Sequence, residues 1–165
     1  MATDDLNISM FRAYDIRTHS SLLTEERALR LARAEAVYFR EVLGVSGVVM
    51  AHDARRSGPR YLQLAAQTMA NAGFTVVVIP GVCSTSEFYF AAMQFPEYAA
   101  VMHGASHNPA DDTGQKILGP GVRPIAEHIG PEGGLDRIKE LYMEGAGAPL
   151  GAGRITAHDP TEDYI

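Results

Sequence analysis

The fold is indicated by residues 48–102, which read VVMAHDARRSGPRYLQLAAQTMANAGFTVVVIPGVCSTSEFYFAAMQFPEYAAVM. Three short apolar runs in this stretch are typical of strands covered on both faces. They lie at residues 48–51, 76–79 and 99–102. Between them, apolar residues recur at spacings of three and four, as one face of a helix requires. Strand and helix therefore alternate with short connections, which predicts a mainly parallel sheet with helices on both sides.

Further helices are predicted on both sides of this stretch. A pattern with helical spacing runs from residue 29 to residue 43 and stops at Gly44, and another runs from residue 135 to residue 142. Ser84 and Glu87 have the spacing of a capping box, so a helix is predicted to begin between them. Together these elements predict an α/β domain with three layers, α/β/α, around a mainly parallel mixed sheet.

The last part of the chain differs in composition from the rest. Residues 145–153 read GAGAPLGAG, which is typical of a flexible connector. We therefore expect one domain over residues 1–144, a linker over 145–153, and the start of a second domain over 154–165. The remainder of that second domain is expected to belong to a longer parent chain.

Composition limits the class of protein. The 165 residues are 46% hydrophobic, which suits one domain with a real core. The net charge of −6 offers no basic surface, so neither nucleic acid nor a membrane is expected as a partner. A single cysteine, Cys83, excludes an internal disulfide and suits a reduced cytosol. With no apolar signal core near the N-terminus, these features predict a cytoplasmic protein.

Two polar clusters follow strands of the predicted sheet. Residues 53–58 (DARRSG) come directly after the run at 48–51, and residues 104–109 (GASHNP) come after the run at 99–102. Ligands of open parallel sheets bind beyond the carboxyl ends of the strands, so both clusters are expected at one rim. Taken alone, residues 53–58 are better explained as a turn that leads into the N-cap of a helix.

Ser106 has two interpretations on its neighbours alone. A serine hydroxyl becomes a useful nucleophile only beside a base or several cations, which His107, Lys116 or Arg17 could supply. An ordinary loop serine is the commoner case. His103 and His107 have the spacing of paired metal ligands on a helix, but the glycine between them disfavours a helix and hence a zinc site.

Three segments, taken together, resemble the α-D-phosphohexomutase family of phosphoglucomutases and phosphomannomutases. Residues 11–17 (FRAYDIR) resemble the family signature FRxYDIRG, and residues 53–58 resemble its DxRxSG segment. Residues 105–116 (ASHNPADDTGQK) resemble the active-site sequence TASHNPxxxNGxK. The resemblance covers domain I of the family, and residues 159–165 resemble the beginning of its second domain.

The resemblance implies a function. The parent protein would be an intramolecular phosphotransferase that interconverts hexose 1-phosphate and hexose 6-phosphate through a hexose 1,6-bisphosphate, which is also its activator. Ser106 would carry the phosphoryl group and bind magnesium through it, with the other metal ligands in the second domain. His107, Lys116 and Arg17 would be catalytic residues, and Tyr14, Arg17 and Lys116 would bind the phosphohexose. The isolated chain, without its remaining domains, is expected to be inactive.

Four departures from the family pattern keep an alternative open. Thr18 stands where the family has glycine, Ser86 where it has proline, Gly104 where it has threonine, and Thr113 where it has asparagine. A catalytically inactive phosphosugar-binding or regulatory paralogue would tolerate such changes. A flavodoxin-like binder of nucleotide or flavin would explain the sheet but not residues 105–109. The FRAYDIR segment favours glucose or mannose phosphates over glucosamine phosphate.

Overall fold

A computed structural model describes residues 6–105, 108–148 and 150–160 of the chain. Seven strands form one sheet in the order β1-β5-β4-β2-β3-β7, with β6 beside β5. Their bounds are β1 Ile16–His19, β2 Gly47–His52, β3 Thr75–Val82, β4 Ala99–His103, β5 Asp112–Gly119, β6 Arg123–Ile125 and β7 Arg154–Ala157. The predicted runs at 48–51, 76–79 and 99–102 are therefore confirmed as β2, β3 and β4.

The sheet is mixed. Strands β4, β2, β3 and β7 are parallel to one another. Strand β5 runs antiparallel to β4, to β1 and to β6. Because β5 runs against β4, it begins at the rim where β2 and β4 end. The predicted α/β class is confirmed, and the segment between β4 and β5 is a short connection on that rim.

Helices cover both faces of the sheet, as predicted. They are α1 Glu25–Val37, continued by a π-helical turn over Tyr38–Val42, α2 Gly58–Asn71, α3 Thr85–Gln94 and α4 Leu135–Glu144. Helices α1, α2 and α4 pack into the core that contains Met50 and Val101. Helix α3 packs against the opposite face, over Val49 and Ala100. None of the helices in the part of the chain that the structure describes is long and apolar enough to span a membrane.

Local signals in the sequence set where these helices begin and end. The capping box predicted at α3 is present, because the backbone N–H of Glu87 donates to Ser84 Oγ at 3.1 Å. The Glu87 carboxylate in turn accepts from the Ser84 N–H at 3.4 Å. Gly44, which follows the π-helical turn, has φ of +66°, a conformation that favours glycine.

The end of the described chain is tied to this sheet. Strand β7 pairs in parallel with β3. The N–H groups of Gly151 and Gly153 donate to the last carbonyls of α2, at Asn71 (2.9 Å) and Ala70 (2.8 Å). Residues 154–157, with which a second domain was expected to begin, form an edge strand of this sheet. The division into 1–144, 145–153 and 154–165 stays a prediction, and residues 161–165 lie outside the described residues.

Candidate active site

A cleft of about 570 Å³ opens at the rim where β2 and β4 end and β5 begins. Six parts of the chain reach it: β1 with the residue before it, the turn after β2, the start of α3 with the residues before it, the end of β4, the β4–β5 segment and strand β5. The lining residues are Asp15, Arg17, Asp53, Cys83, Ser84, Thr85, Met102, Gly104, Ala105, Asn108 and Lys116. Both polar clusters predicted to meet at one rim therefore contribute to one cleft.

Arg17 and Lys116 place two cations in this cleft. Arg17 lies on β1 opposite Gly114 of β5, and its Nη1 donates to Asn108 Oδ1 at 2.9 Å. Lys116 lies on β5 opposite Met102 of β4. Although the two cations are far apart in sequence, the sheet register brings them to the same cavity. Two cations in one cleft favour the binding of an anion such as a phosphate group.

Ser106 and His107 lie outside the described residues, so their predicted roles stay predictions. The residues on either side of them are described. The Ala105 N–H donates to Asp53 Oδ2 at 3.2 Å, and the Asn108 N–H donates to the Ala105 carbonyl at 3.0 Å. Both flanking residues line the cleft. The segment that joins β4 to β5 is therefore anchored beside Arg17 and Lys116.

Asp53 and Arg55 form an ion pair, which we call the Asp53–Arg55 clamp, that holds this segment from both ends. Arg55 Nε lies 3.2 Å from Asp53 Oδ2, and the two side chains are 10% and 20% exposed. The Arg55 guanidinium also donates to the carbonyls of Asn108 at 2.7 Å, of Asp112 at 2.9 Å, and of Pro109. Because Asp53 also accepts from Ala105, the clamp contacts the segment before and after residues 106–107.

Gly104 lies directly against the clamp. A Cβ atom added at this position would lie 2.3 Å from Asp53 Oδ2, so the carboxylate would have to shift to admit a side chain. The carboxylate therefore occupies the space that a side chain at 104 would need. The departure from threonine to glycine at this position thus accompanies a close approach of Asp53 to the β4–β5 segment.

Two other departures, Thr18 and Thr113, are direct cross-strand partners on β1 and β5. They are 6% and 2% exposed. The Thr113 hydroxyl lies 3.2 Å from Ser57 Oγ, and Thr18 Oγ1 accepts from Asn7 Nδ2 at 3.2 Å. Thr18 belongs to a strand and has no positive φ, so no turn there depends on glycine.

Burial shapes the titration of two groups in the cleft. It raises the pKa of Asp15, although the nearby cations Arg17, Lys116 and Arg12 act in the opposite direction. Burial, with a smaller contribution from Glu87, also raises the pKa of the Cys83 thiol to about 11. Cys83 therefore stays an uncharged thiol at neutral pH, which argues against a nucleophilic role.

Tyr14 is not brought into the cleft. Its side chain is 74% exposed and is absent from the cavity lining. The residues whose roles were not foreseen are Asp15, Asp53, Arg55 and Asn108. The motifs that contain them were visible, but no signal in the sequence shows that Arg55 contacts carbonyls more than fifty positions away.

Within the described ranges, one group of potential metal ligands stands out, and it lies apart from the cleft. Glu127, His128 and Asp136 have ligand atoms within 4.8 Å of one another at the surface. In the cleft, both Asp53 oxygens already accept hydrogen bonds. Oδ1 accepts from the backbone N–H of Arg55, and Oδ2 accepts from Arg55 Nε and from the backbone N–H of Ala105. Asp53 is therefore occupied in holding the β4–β5 segment.

Comparison with known proteins supports the resemblance found in the sequence. A family model described as "Phosphoglucomutase/phosphomannomutase, alpha/beta/alpha domain I" matches residues 9–131. A protein of Xanthomonas campestris pv. campestris called "Phosphohexose mutases" is 33% identical over 125 residues, covering 76% of this chain and 27% of that protein. The phosphoglucomutase of Neisseria meningitidis serogroup B is 29% identical over 157 residues, covering 94% of this chain and 33% of that protein.

A solved structure shows the same likeness. The crystal structure of a phosphoglucomutase/phosphomannomutase family protein from Burkholderia thailandensis matches with a TM-score of 0.78 and 30% sequence identity. The match covers 96% of this chain and 34% of that chain. The present chain spans about a quarter to a third of the length of these relatives.

Proposed function

The chain belongs to the phosphoglucomutase/phosphomannomutase family, and on this premise we propose that it is the phosphoserine-bearing domain of a phosphohexomutase. The parent protein interconverts hexose 1-phosphate and hexose 6-phosphate through a hexose 1,6-bisphosphate. The observation that carries the proposal is the cleft itself, in which Arg17 and Lys116 flank the anchored segment that contains Ser106.

In the proposed cycle, the phosphoryl group leaves Ser106 Oγ and passes to the free hydroxyl of the hexose monophosphate. The proton of that hydroxyl moves to the serine oxygen, with His107 or Lys116 as the relay. The bisphosphate then reorients in the site. Its other phosphoryl group passes to Ser106 Oγ, and the serine proton moves to the sugar oxygen that is released. Transfer of this kind depends on charge neutralisation and in-line positioning. Arg17 and Lys116, which both line this cleft, would neutralise charge on the phosphoryl group.

Magnesium is part of the proposal. Bound to the Ser106 phosphate, a divalent cation would neutralise charge that develops on the transferred group. The phosphate on Ser106 is proposed as the ligand from this chain, and Asp53 is not, because both of its oxygens already accept hydrogen bonds. The remaining ligands are assigned to a part of the parent protein beyond this domain, and the surface group at Glu127 is given no role in transfer.

The parent protein is proposed to carry further domains, since the relatives are three to four times as long as the match. The phosphohexose would bind between this cleft and those domains. The 165-residue chain alone is expected to show no useful turnover, and a hexose 1,6-bisphosphate is expected to prime Ser106. A cytoplasmic location is part of the same proposal.

The test uses the native protein purified from its source. Peptide mass analysis should find one phosphoryl group on Ser106, and a coupled assay should convert glucose 1-phosphate or mannose 1-phosphate to the 6-phosphate. Ser106→Ala should abolish both, whereas Ser46→Ala, an exposed serine in the loop before β2, should change neither. Turnover that survives Ser106→Ala would refute the assignment.

The alternative, a catalytically inactive phosphosugar-binding paralogue, rests on the departures at 18, 104 and 113. The structure accommodates each of them: Thr18 and Thr113 pair with each other, and Gly104 makes room for the clamp. The inactive alternative predicts binding of hexose phosphates without phosphorylation of Ser106. The same peptide mass analysis therefore separates the two functions.

A further inference from the structure

A cluster of buried polar side chains lies on the face of the sheet that α1 covers, and it has no role in the function proposed above. Among the described residues, five buried side-chain atoms have no hydrogen-bond partner. They are both carboxylate oxygens of Glu35, both ring nitrogens of His103 and Oε1 of Gln115. These residues are 0%, 1% and 6% exposed. Unpartnered buried polar atoms are rare, and here they concentrate on three residues of three different elements.

The three residues are neighbours in space. His103 of β4 and Gln115 of β5 are direct cross-strand partners, so their side chains lie on the same face of the sheet. Gln115 also lies close enough to Glu35 of α1 to act on the pKa of its carboxyl group. Because side chains alternate along a strand, Gln115 faces the α1 side while the adjacent Lys116 faces the cleft.

Burial keeps the two titratable members uncharged. It raises the pKa of Glu35 to about 8, although Gln115 acts in the opposite direction. Burial, together with His52 on β2, lowers the pKa of His103 to about 3. On the helices packed against α1, the buried Tyr142 of α4 and the half-buried Tyr61 of α2 donate their hydroxyls to backbone carbonyls.

The protonation states decide which hydrogen bonds the cluster can form. A protonated Glu35 offers one O–H donor, and Gln115 Oε1 is an unpartnered acceptor. Neutral His103 adds one donor and one acceptor. If Glu35 were ionised, it would lose this donor, so Gln115 Oε1 would stay unpartnered, although the Gln115 amide N–H favours the carboxylate. Internal water molecules commonly complete such contacts.

We propose that Glu35, Gln115 and His103 form a buried hydrogen-bonded chain that positions the β4–β5 segment and Lys116 in the cleft. The protonated carboxyl group of Glu35 is the donor at one end. The chain acts through the backbone, because His103 directly precedes Gly104 and Gln115 directly precedes Lys116. The three side chains are positioning residues and touch no substrate. Only the importance given to Lys116 rests on the proposed function.

The first experiment compares the wild type with Glu35→Gln, whose amide keeps a donor but carries no charge. Between about pH 4.5 and pH 8, Glu35 keeps its proton in the folded wild type and loses it in the unfolded chain, whereas Glu35→Gln has no such proton. The unfolding constant of the wild type should therefore rise by up to about tenfold per pH unit relative to Glu35→Gln across that range. Urea unfolding at several pH values measures the ratio. A ratio that does not change with pH would overturn the proposal.

The second experiment separates positioning from mere burial. Amide hydrogen exchange is measured in the wild type and in Glu35→Gln at pH 7 and again at pH 9. The two proteins are compared with each other at each pH. At pH 7 both proteins should protect residues 103–105 and 114–116 equally. At pH 9 the wild type should lose protection there, by about tenfold more than at Val77 of β3, because Glu35 is then mostly ionised.

Equal protection in both proteins at pH 9, or a loss spread evenly over the sheet, would overturn the positioning role. Glu35→Leu extends the test. It should reduce the amide protection of residues 103–105 and 114–116 already at pH 7, whereas Glu35→Gln should not. Should that variant fail to fold, the comparison of wild type with Glu35→Gln still decides the question. No step measures turnover, so failure here is distinguishable from failure of the mutase proposal.

Discussion

Replacing Arg55 with methionine tests whether the Asp53–Arg55 clamp holds the site together. The change keeps an unbranched side chain of similar length but removes the charge and every donor. The Asp53 carboxylate, 20% exposed, loses its ionic partner, and three backbone carbonyls of the β4–β5 segment lose their donors. Removing one partner of a buried ion pair costs about 3–5 kcal/mol. Because both side chains keep some access to water, we expect about 3 kcal/mol, at the lower end of that range.

The measurement is urea unfolding of the chain, and a matched control comes from the same domain. Arg60 pairs with Glu25 at 2.7 Å, but these side chains are 51% and 57% exposed. Arg60→Met should therefore change the unfolding free energy by too little to measure reliably, since exposed ion pairs contribute little. The same kind of substitution is thus made in two ion pairs that differ in burial.

The clamp would be refuted as a structural device if Arg55→Met destabilised the chain no more than Arg60→Met. A further check is the double-mutant cycle of Arg55→Met with Asp53→Asn. If the two side chains act as one unit, the double variant should lose less stability than the sum of the single variants. Additive losses would mean that each side chain acts independently of the other.

Three further substitutions have expected outcomes in the same unfolding assay. Gly104→Thr restores the family residue but would push a side chain against the Asp53 carboxylate, so a loss of about 1–3 kcal/mol is expected; an unchanged midpoint would contradict the close approach. Ser84→Ala removes the acceptor of the α3 capping box and should cost about 1 kcal/mol. Gly114→Ala places a Cβ 1.9 Å from a carbonyl of β1 and should destabilise strongly, whereas Gly147→Ala, with open space around it, should not.

The sequence predicted the elements that obey simple hydrophobic patterns. Strands β2, β3 and β4 are continuous apolar runs, and the helices show apolar residues at helical spacing, so pattern and burial agree. Strand β5 was not predicted, because Thr113 and Gln115 occupy buried positions where the pattern requires apolar residues. Strand β7 was not predicted either, since all four of its residues are exposed and show no alternation.

The position of the site was predictable from the sequence, but the Asp53–Arg55 clamp was not. The site's position at the carboxyl ends of β2 and β4 followed from the predicted topology, and Arg17 and Lys116 do line one cleft. The clamp was not predictable, because residues 53–58 have a sufficient local explanation as a turn before a helix. What Arg55 does depends on carbonyl groups supplied by a distant loop, and carbonyl groups carry no sequence signal.

The register of β1 against β5 also bears on how this chain diverged. Thr18 and Thr113 count as two separate differences when the sequence is set against the family pattern, yet they form one cross-strand contact. In genetic terms the two sites are expected to be epistatic. Restoring glycine at 18 alone would leave Thr113 without its threonine partner, and restoring asparagine at 113 alone would do the same to Thr18. The two differences should therefore be treated as one evolutionary change.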